Sequence, residues 1–463
     1  GTAPGSGQLT SSFDAISLIN NSTNSLVVNA TVIDAPLEGG SYPIAVTKMG
    51  AGTVFLAGTN TYTGVTTLGQ GVLSISTLGN GGQAGGLGAA GNASTNIVFD
   101  GGRLHYTGTN TSTDRGFTVT GSGSRLDTDA DFHISGAAIN LASGSLTIGG
   151  AGATTILSLI TGAGALDKDG ASTLTLLNTN TFTGRVTIRG GAVSVTNIGN
   201  GGQAGNLGAA SNASSNLVLD GGTLVYGGTG TATSDRGMRV GSGGGAFINA
   251  TEGALIAFVG GASDGVQIAP QGTFDIGGTG NVAFANVISG VGGLRKSGGG
   301  LLLLENPGNS FAGGVTISGG AIAVQGISDG GQVGYLGAAS ADPTNLVFDG
   351  GTLSLSQIGT TQSTDRGFTI TAGKTATISV TNNASLLFSG DVPTTTGALT
   401  KTGNGTLTLS GDLAFTGEAT ASAGRLNIDG TLGPGATPGS SLDVAAGATL
   451  GGSGTIQRDV YVS

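Results

Sequence analysis

The sequence predicts an all-β protein in which short strands stack, turn upon turn, into an elongated solenoid. One unit occurs four times in register, its apolar residues alternate with polar ones, and glycines separate its strands. Alternation with a period of two places apolar side chains on one face of a strand. Because a single turn of this kind cannot bury its apolar face alone, similar turns stack and share one core.

The repeated unit is organised around a lysine, with a glycine two residues later and apolar residues six and eight residues later. An aromatic residue follows, with a glycine two residues beyond it, and the third unit carries one extra residue before its aromatic. In the fourth unit, a period of two predicts that Leu407 and Leu409 point inward and Thr408 points outward. The units span 46–75, 166–195, 294–324 and 399–428, with lysines Lys48, Lys168, Lys296 and Lys401 and aromatics Tyr62, Phe182, Phe311 and Phe415.

A second motif follows each of the first three units. It begins with a glycine-rich loop of the form GGQxGxLGAA, continues through FDGG or LDGG, and ends at TDRG or SDRG; the copies span 79–119, 199–240 and 328–370. The lysines are spaced by 120, 128 and 105 residues, so one super-repeat would fill several turns of about 20–25 residues each. We expect one continuous solenoid with an atypical lead-in at 1–45, super-repeats at 46–165, 166–293 and 294–398, and a partial fourth repeat with C-terminal turns at 399–463.

Composition excludes several classes of protein. The 463 residues include 94 glycines and 9 prolines without a Gly-X-Y period, which excludes collagen. A net charge of −10 leaves no basic footprint for nucleic acid, and the absence of cysteine excludes disulfide scaffolds, Cys-ligated zinc and thiol catalysis. No apolar run is long enough to span a membrane as a helix. No signal peptide precedes Gly1 and the chain ends on a strand pattern without a polar cap, so we expect a longer protein.

The repeated units resemble the passenger-associated transport repeat of autotransporter proteins, also called the autotransporter-associated β-strand repeat. The resemblance rests on KTGNGTLTLSG at 401–411, NTYTGVTTLGQGVLSI at 60–75 and NTFTGRVTIRGGAVSV at 180–195. The stretch GTLGPGATPGSSLDV at 430–444 is similar to a G-x-L-x-P-G-x-S-P-G step of such passengers, with Ala-Thr where the family often has Asn-Ser. The resemblance implies a right-handed parallel β-helix, exported and displayed at a bacterial surface, without a catalytic residue.

An Asp-Arg pair recurs at 114–115, 235–236 and 365–366. One interpretation is a charged stripe for a ligand along one face. The favoured interpretation is a corner, in which the aspartate caps turn amides and the arginine lies over a neighbouring turn. The four lysines are interpreted in the same way, as corner residues whose stems cover apolar surface.

Asp127, Asp129, Asp131 and His133 alternate along the sequence. On one strand they would share a face and could hold calcium or another hard cation. The glycine and glutamate of an EF-hand loop are missing, and the equivalent stretches of the other super-repeats lack the charges. We therefore favour a solvated corner and predict no metal site.

The glycine-rich loops and the histidines offer two further candidate sites. No Gly-Lys-Ser or Gly-Lys-Thr and no helix follows the loops, so we interpret them as loops that bulge from the solenoid and not as phosphate sites. A Ser-His-Asp triad would have to use His105 or His133. We interpret His105 as a surface or stacking residue of an alternating strand, and we predict no catalytic residue.

Three functions are weighed. The first is a surface structural or adhesive protein that contacts other cells, matrix or glycans through weak, periodic contacts. The second is a subunit of an extracellular filament that associates end to end or side by side through strand edges. The third is a polysaccharide-active enzyme. Repetition without a unique cluster of charges favours the first two, so we predict no enzyme, no cofactor and no nucleic-acid partner, and a location at the bacterial cell surface or outside the cell.

Overall fold

The computed structural model describes residues 7–12, 14–260, 265–434 and 440–463. Contacts within the chain define two compact units, Gly1–Val225 and Tyr226–Ser463, and each is described by itself. Among the described residues, helical structure is limited to the short 3₁₀ turns Ser94–Asn96, Ser214–Asn216 and Pro343–Asn345. The centre of the passenger-like step at 430–444 lies outside the described residues.

The first unit is built from parallel ladders of short strands that wind around one core. Ladder A consists of Ala15–Ile19, Ala45–Met49, Thr66–Leu68, Ile97–Asp100, Phe117–Gly121, Ile139–Leu141 and Ile160–Gly162. Ladder B consists of Leu26–Val28, Thr53–Leu56, Val72–Ile75, Arg103–Tyr106, Ser124–Thr128, Ser145–Gly150, Ala165–Lys168, Val186–Ile188 and Leu217–Leu219. Ladder C consists of Thr111–Thr113, Phe132–Ile134, Thr154–Ile156, Thr173–Leu176 and Ala192–Val195.

The lead-in of the first unit is less regular, as the sequence predicts. The strand Gln8–Leu9 pairs with Thr31–Val32 in parallel. Ala35–Leu37 and Gly40–Tyr42 form an antiparallel hairpin. At the other end, the strand Thr223–Tyr226 contains the division between the units.

The second unit repeats the same construction. Ladder D consists of Met238–Val240, Val266–Ile268 and Ile288–Gly290, and ladder E of Gly245–Asn249, Thr273–Gly278, Gly293–Lys296, Val315–Ile317, Leu346–Phe348 and Thr369–Ile370. Ladder F consists of Thr231–Ser234, Leu255–Phe258, Asn281–Phe284, Leu301–Leu304, Ala321–Val324, Thr352–Leu355, Thr375–Val380, Ala398–Thr402, Ala419–Ala421, Leu442–Val444 and Val460–Val462. Ladder G consists of Thr361–Thr364, Ser385–Phe388, Thr406–Leu409, Arg425–Ile428 and Thr449–Gly451, and ladder H of Asp412–Leu413, Thr431–Leu432 and Thr455–Ile456.

Stacking in register aligns like side chains in rows that run through the core. In ladder B, Leu104 pairs with Leu126 and Leu126 with Ile148, and all three side chains are at most 3 % exposed. In ladder G, Leu407 is fully buried and Thr408 is not, so the predicted strand face is confirmed. Burying each such aliphatic side chain contributes about 1.5–3 kcal/mol. The all-β solenoid of stacked parallel strands that the sequence predicts is confirmed.

A ladder ends where the segment around the aromatic residue of a repeat begins, which the sequence does not predict. This segment, the aromatic residue with the residue on either side of it, is called the aromatic step. Ladder A ends at Ile160–Gly162, and the amides of Thr181 and Thr183, on either side of Phe182, then donate to the carbonyl oxygens of Ile160 and Gly162, both at 2.9 Å. In the second unit, the residues flanking Phe311 bond in the same way to Ile288–Gly290, the last strand of ladder D. The aromatic step therefore covers an edge that would otherwise expose unpaired backbone groups.

Successive repeats stand on different ladders. In the first unit Lys48 lies in ladder A and Lys168 in ladder B. In the second unit Lys296 lies in ladder E and Lys401 in ladder F. The Asp-Arg pairs of the second unit also follow strands of different ladders, Thr231–Ser234 of ladder F and Thr361–Thr364 of ladder G, so they do not form one charged stripe along one face there.

Candidate interaction surface

The repeated lysines are buried and do not lie at surface corners, so that prediction is wrong. Lys48, Lys168, Lys296 and Lys401 are at most 1 % exposed. Lys168 pairs with Ile148 and Ile188 in an inward row of ladder B. A lysine at an inward position is tolerated when its ammonium group finds acceptors, because burial of an unpaired charge is costly.

Backbone carbonyl groups provide those acceptors. In every copy the lysine Nζ donates to the carbonyl oxygens of the next two residues, at 2.5 to 3.0 Å. In two copies a third carbonyl comes from the turn above, Gln70 for Lys48 at 2.9 Å and Ala423 for Lys401 at 3.0 Å. Burial lowers the pKa of Lys168, Lys296 and Lys401 to about 8, although the carbonyl oxygens favour the charged form. The lysines are structural: each closes the turn that follows it, and Lys48 and Lys401 also tie that turn to the next.

The glycine-rich loops, here loop 1 (79–90), loop 2 (199–210) and loop 3 (328–339), fold back onto the aromatic step. The amides of Ala89, Ala209 and Ala338 donate to the carbonyl oxygens of Tyr62, Phe182 and Phe311 at 2.7 to 2.8 Å. Gly88 has φ of +69°, and a Cβ atom there would overlap the carbonyl oxygen of Tyr62, so this position requires glycine. The loops are therefore not free bulges, because their second halves, including the leucines Leu87, Leu207 and Leu336, are buried.

A buried asparagine two residues before the aromatic fastens each loop. Asn60 accepts from the amide of Val32 at 2.8 Å and donates to the carbonyl oxygen of Gly86 in loop 1 at 3.1 Å. Asn180 and Asn309 make the same pair of bonds, to the preceding turn and to the loop that follows. The sequence analysis missed these residues. The signal for them was present, because asparagine occupies this position in the three units that a loop follows, and Leu413 occupies it in the fourth.

The Asp-Arg pair holds the loop from its other side. Asp114 accepts from the amide of Gly81 at 2.7 Å, and Asp365 accepts from that of Gly330 at 2.6 Å, which confirms the turn-capping interpretation. Arg115 is 2 % exposed. Its guanidinium donates to loop 1 carbonyl oxygens, those of Gly79, Asn80, Gln83 and Gly88.

The same holding geometry recurs in the third copy. Arg236 and Arg366 are 2 % and 3 % exposed. The guanidinium of Arg366 donates to four carbonyl oxygens of loop 3, those of Ser328, Asp329, Gly337 and Ala339. Arg115 and Arg366 enter the base of a loop and do not lie over a neighbouring turn, which corrects the predicted placement. Burial lowers the pKa of all three arginines from the usual value, and an arginine nevertheless stays charged.

The exposed residues of each loop lie in its first half: Asn80, Asn200 and Asp329, and the tip that follows each of them. Gly-Gln-Ala at 82–84 and 202–204 and Gly-Gln-Val at 331–333 reach solvent. In loop 1 the Gln83 side chain accepts from the amide of Asn80 at 3.1 Å, which closes the tip. Loop 1 connects ladder B to ladder A, and loop 2 connects ladder C to ladder B. The two tips of the first unit therefore leave at different corners.

The residues proposed for a cation do not share one face. Asp127 lies in the strand Ser124–Thr128, next to its last residue. Residues 129–131 form a corner, and His133 belongs to the next strand, Phe132–Ile134. The expectation of one strand face is wrong because the chain turns between these positions. Asp129 and Asp131 do lie at an exposed corner, as the favoured interpretation states, but Asp127 is 1 % exposed and is not solvated. Among the described residues, no three His, Cys, Asp or Glu side chains are grouped closely enough to hold a metal ion.

Two arginines neutralise the buried Asp127. Arg103 forms an ion pair with its carboxylate, and the Arg125 Nε atom donates to both oxygens at 2.7 and 2.9 Å. Arg125 also pairs with Asp169 at 2.9 Å, and this contact holds the pKa of the Asp169 carboxyl below its usual value. A Cβ atom at Gly149 would overlap the Arg125–Asp127 pair. Glycine therefore leaves room for the pair on the next strand.

The histidines occupy separate places. His105 Nε2 lies 3.0 Å from Asp129 Oδ1, and its side chain is 27 % exposed, so the surface interpretation holds. Ser74 pairs with His105 in ladder B and would be the serine of a Ser-His-Asp triad. Among the described residues, the hydrogen bond of the His105 side chain is to Asp129 and not to Ser74. His133 is exposed on the first turns of ladder C.

Comparison with known proteins identifies the repeats. The four stretches 46–75, 166–195, 294–324 and 399–428 match the passenger-associated-transport-repeat family, so the resemblance to autotransporter passengers seen in the sequence is confirmed. The chain is similar to the autotransporter adhesin BmaC of Brucella suis biovar 1 (strain 1330), at 33 % identity over 94 % of this chain. The chain spans 14 % of the length of that relative. These similarities give no support to the filament alternative.

In the part of the chain that the structure describes, no helix is both long and apolar enough to cross a membrane.

Proposed function

We propose that this chain belongs to the exported, adhesive passenger of an autotransporter, displayed at a bacterial cell surface or released from it. One observation carries this proposal: almost the whole chain is similar to part of an autotransporter adhesin, and its repeats belong to the passenger-associated family. The chain would act by binding other surfaces and not by catalysis.

The three loops support a binding role. A buried asparagine fixes each loop, a buried arginine also holds the bases of loop 1 and loop 3, and each loop presents an exposed Gly-Gln-x tip. A segment held in one conformation loses little entropy on binding, so its contacts translate more fully into affinity. Loops on a rigid scaffold are also the usual carriers of recognition.

The arrangement of the loops changes how avidity arises. Because loop 1 and loop 2 leave the first unit at different corners, one flat partner surface cannot engage both in the same way. In place of the periodic row of contacts that the sequence suggested, each loop of the first unit would make its own contact. Multivalent strength would come from many chains displayed on one cell.

Adhesion by the loop tips can be tested with the purified chain coated on beads. Beads are counted after washing on layers of animal cells and on immobilised extracellular matrix. The test variant changes the tip glutamines Gln83, Gln203 and Gln332 to glutamate, which keeps the side-chain acceptor for the loop and adds charge. We expect the unmodified chain to retain beads on at least one of these surfaces and the tip variant to retain several-fold fewer.

A matched control carries the same three charge changes elsewhere. Gln70, Gln267 and Gln325 are exposed and lie outside the loops, so their change to glutamate should leave bead retention unchanged. Beads that bind neither cells nor matrix when coated with the unmodified chain would contradict the adhesive function. Equal loss in both variants would show that the tips have no special role.

A further inference from the structure

A polar groove lies between loop 1 and the first two strands of ladder C. Its volume is about 550 Å³, within the range of small-ligand sites. Asn80 and Gln83 of loop 1 form one wall. The other wall includes Asn110, Ser112 and His133, and Leu78 adds an apolar surface. Apart from the imidazole of His133, the lining side chains are not ionisable.

The groove is open in the first repeat because of the side chains that this repeat carries. Thr111 stands three residues before Asp114, and the residue three before Asp365 in the third repeat is Gln362. There the Gln362 side chain bonds to the amide of Ile327 at 3.4 Å and to Gln357 at 3.3 Å, and so occupies the corresponding space. The shorter Thr111 leaves that space free.

His133 is also specific to the first repeat. It pairs with Ser112, two residues before Asp114. The residues that pair at the same place in the other repeats are Ala257, opposite Thr233, and Leu387, opposite Ser363. The same strand pairing thus recurs in three repeats. Only the first repeat places a histidine there, beside the amide side chains that line the groove.

We propose that this groove binds an uncharged sugar chain. The side-chain oxygens of Asn80, Gln83 and Asn110 each accept a backbone N–H group at 3.1 to 3.2 Å, which fixes these side chains, and their NH2 groups remain as donors to the oxygens of sugar hydroxyls. The exposed His133 ring provides a surface for the apolar face of a sugar ring. The absence of lysine, arginine and carboxylate from the lining favours a neutral ligand over an acidic one. This inference rests on the proposed adhesive function and names the ligand class for one site.

The two histidines of the chain make the test direct. Lactose, cellobiose, maltotriose and chitotriose are titrated separately into the full chain, each to about 10 mM, tenfold above a Kd of about 1 mM. Imidazole resonances are followed by NMR. We expect at least one sugar to shift the resonances of His133 in a saturable way. Those of His105, which Asp129 holds on another strand, should stay in place.

Two variants, both taken from the protein's own repeats, separate binding from folding. His133→Ala copies Ala257, and Thr111→Gln copies Gln362, so both keep side chains that the scaffold already accepts. Each should weaken sugar binding, measured by saturation-transfer NMR, at least tenfold. If none of the four sugars shifts His133, or if Thr111→Gln binds as well as the unmodified chain, the groove proposal is wrong.

The outcome is distinguishable from failure of the adhesive function. Beads coated with the unmodified chain that still adhere, while no sugar shifts His133, would refute the groove and leave the function standing. Sugar binding by a chain whose beads do not adhere would refute the function and support the groove.

Discussion

The guanidinium group of Arg458 lies over the ring of Phe415, with its Cζ atom 5.0 Å from the ring centroid. It also donates to the carbonyl oxygen of Phe415 and to that of Gly417, both at 2.6 Å. In the three earlier repeats a clamped loop covers the aromatic residue, and the fourth has no such loop. An arginine that donates to backbone carbonyl groups is therefore common to the first, third and fourth repeats.

Loss of such an arginine should release its loop. Arg115→Met leaves the loop 1 carbonyl groups without donors, and each buried unsatisfied group costs about 1–3 kcal/mol. We expect the free energy of unfolding, from a denaturant titration, to fall by about 2–4 kcal/mol. Arg185 is exposed in the same unit, so Arg185→Met should change it by less than about 0.5 kcal/mol. Equal effects would show that the clamp does not stabilise the fold.

Alkaline pH should stabilise the protein before it destabilises it. The folded pKa of Lys168, Lys296 and Lys401 is about 8, against 10.5 for an exposed lysine. Between those values the unfolded chain binds more protons, so stability rises with pH. Burial raises the pKa of Tyr62 from 10.0 to about 12, so above about pH 10 the folded state binds more protons there and stability falls.

The corresponding measurement is the urea midpoint between about pH 7.5 and 9.5. Lys401→Met should show a shallower rise than the unmodified chain because one titrating group is gone. A midpoint that stays constant or falls over this range in the unmodified chain would contradict the burial of charged lysines.

The inward and outward faces of ladder G can be tested with one pair of substitutions. Leu407→Asp places a carboxylate in the core, where Leu407 is fully buried, and should unfold the turn or cost at least about 4 kcal/mol. Thr408→Asp adds the same group on the outer face and should cost less than about 1 kcal/mol. Thermal unfolding followed by circular dichroism compares them. Similar melting temperatures for both variants would show that the strand faces are assigned wrongly.

Removal of metal ions should not affect stability. The carboxylate of Asp127 is neutralised by Arg103 and Arg125, so it needs no cation. We expect the melting temperature to be the same with and without EDTA. A fall of several degrees that calcium reverses would establish a metal site.

The sequence predicted the strands because period-two alternation reports burial directly. The interior positions Leu407 and Leu409 are fully buried, and the capping role of Asp114 followed from ordinary turn chemistry. The same alternation could have predicted that the lysines are buried. Lys168 stands two residues after Leu166, so its parity places it inside, and the prediction failed because charge was allowed to override parity.

The displacement of repeats from one ladder to the next could not be predicted in the same way. It depends on where ladder A ends, at Ile160–Gly162, and on which side of the solenoid turn the aromatic step then covers. That is a property of the turns in space, to which strand lengths and corner residues all contribute. The groove beside His133 could not be predicted either, because only the winding of the chain brings loop 1 and ladder C together.

The most direct test of this account is hydrogen–deuterium exchange, read by mass spectrometry across the three loops of the full chain. Each loop is fixed where it contacts the aromatic residue and is exposed at its tip. Exchange should be slow at the amides of Ala89, Ala209 and Ala338, which bond to the carbonyl oxygens of Tyr62, Phe182 and Phe311, and fast at the exposed Ala84, Ala204 and Val333. Fast exchange along the whole of each loop would contradict the account, because the tips would then not be presented by a rigid scaffold.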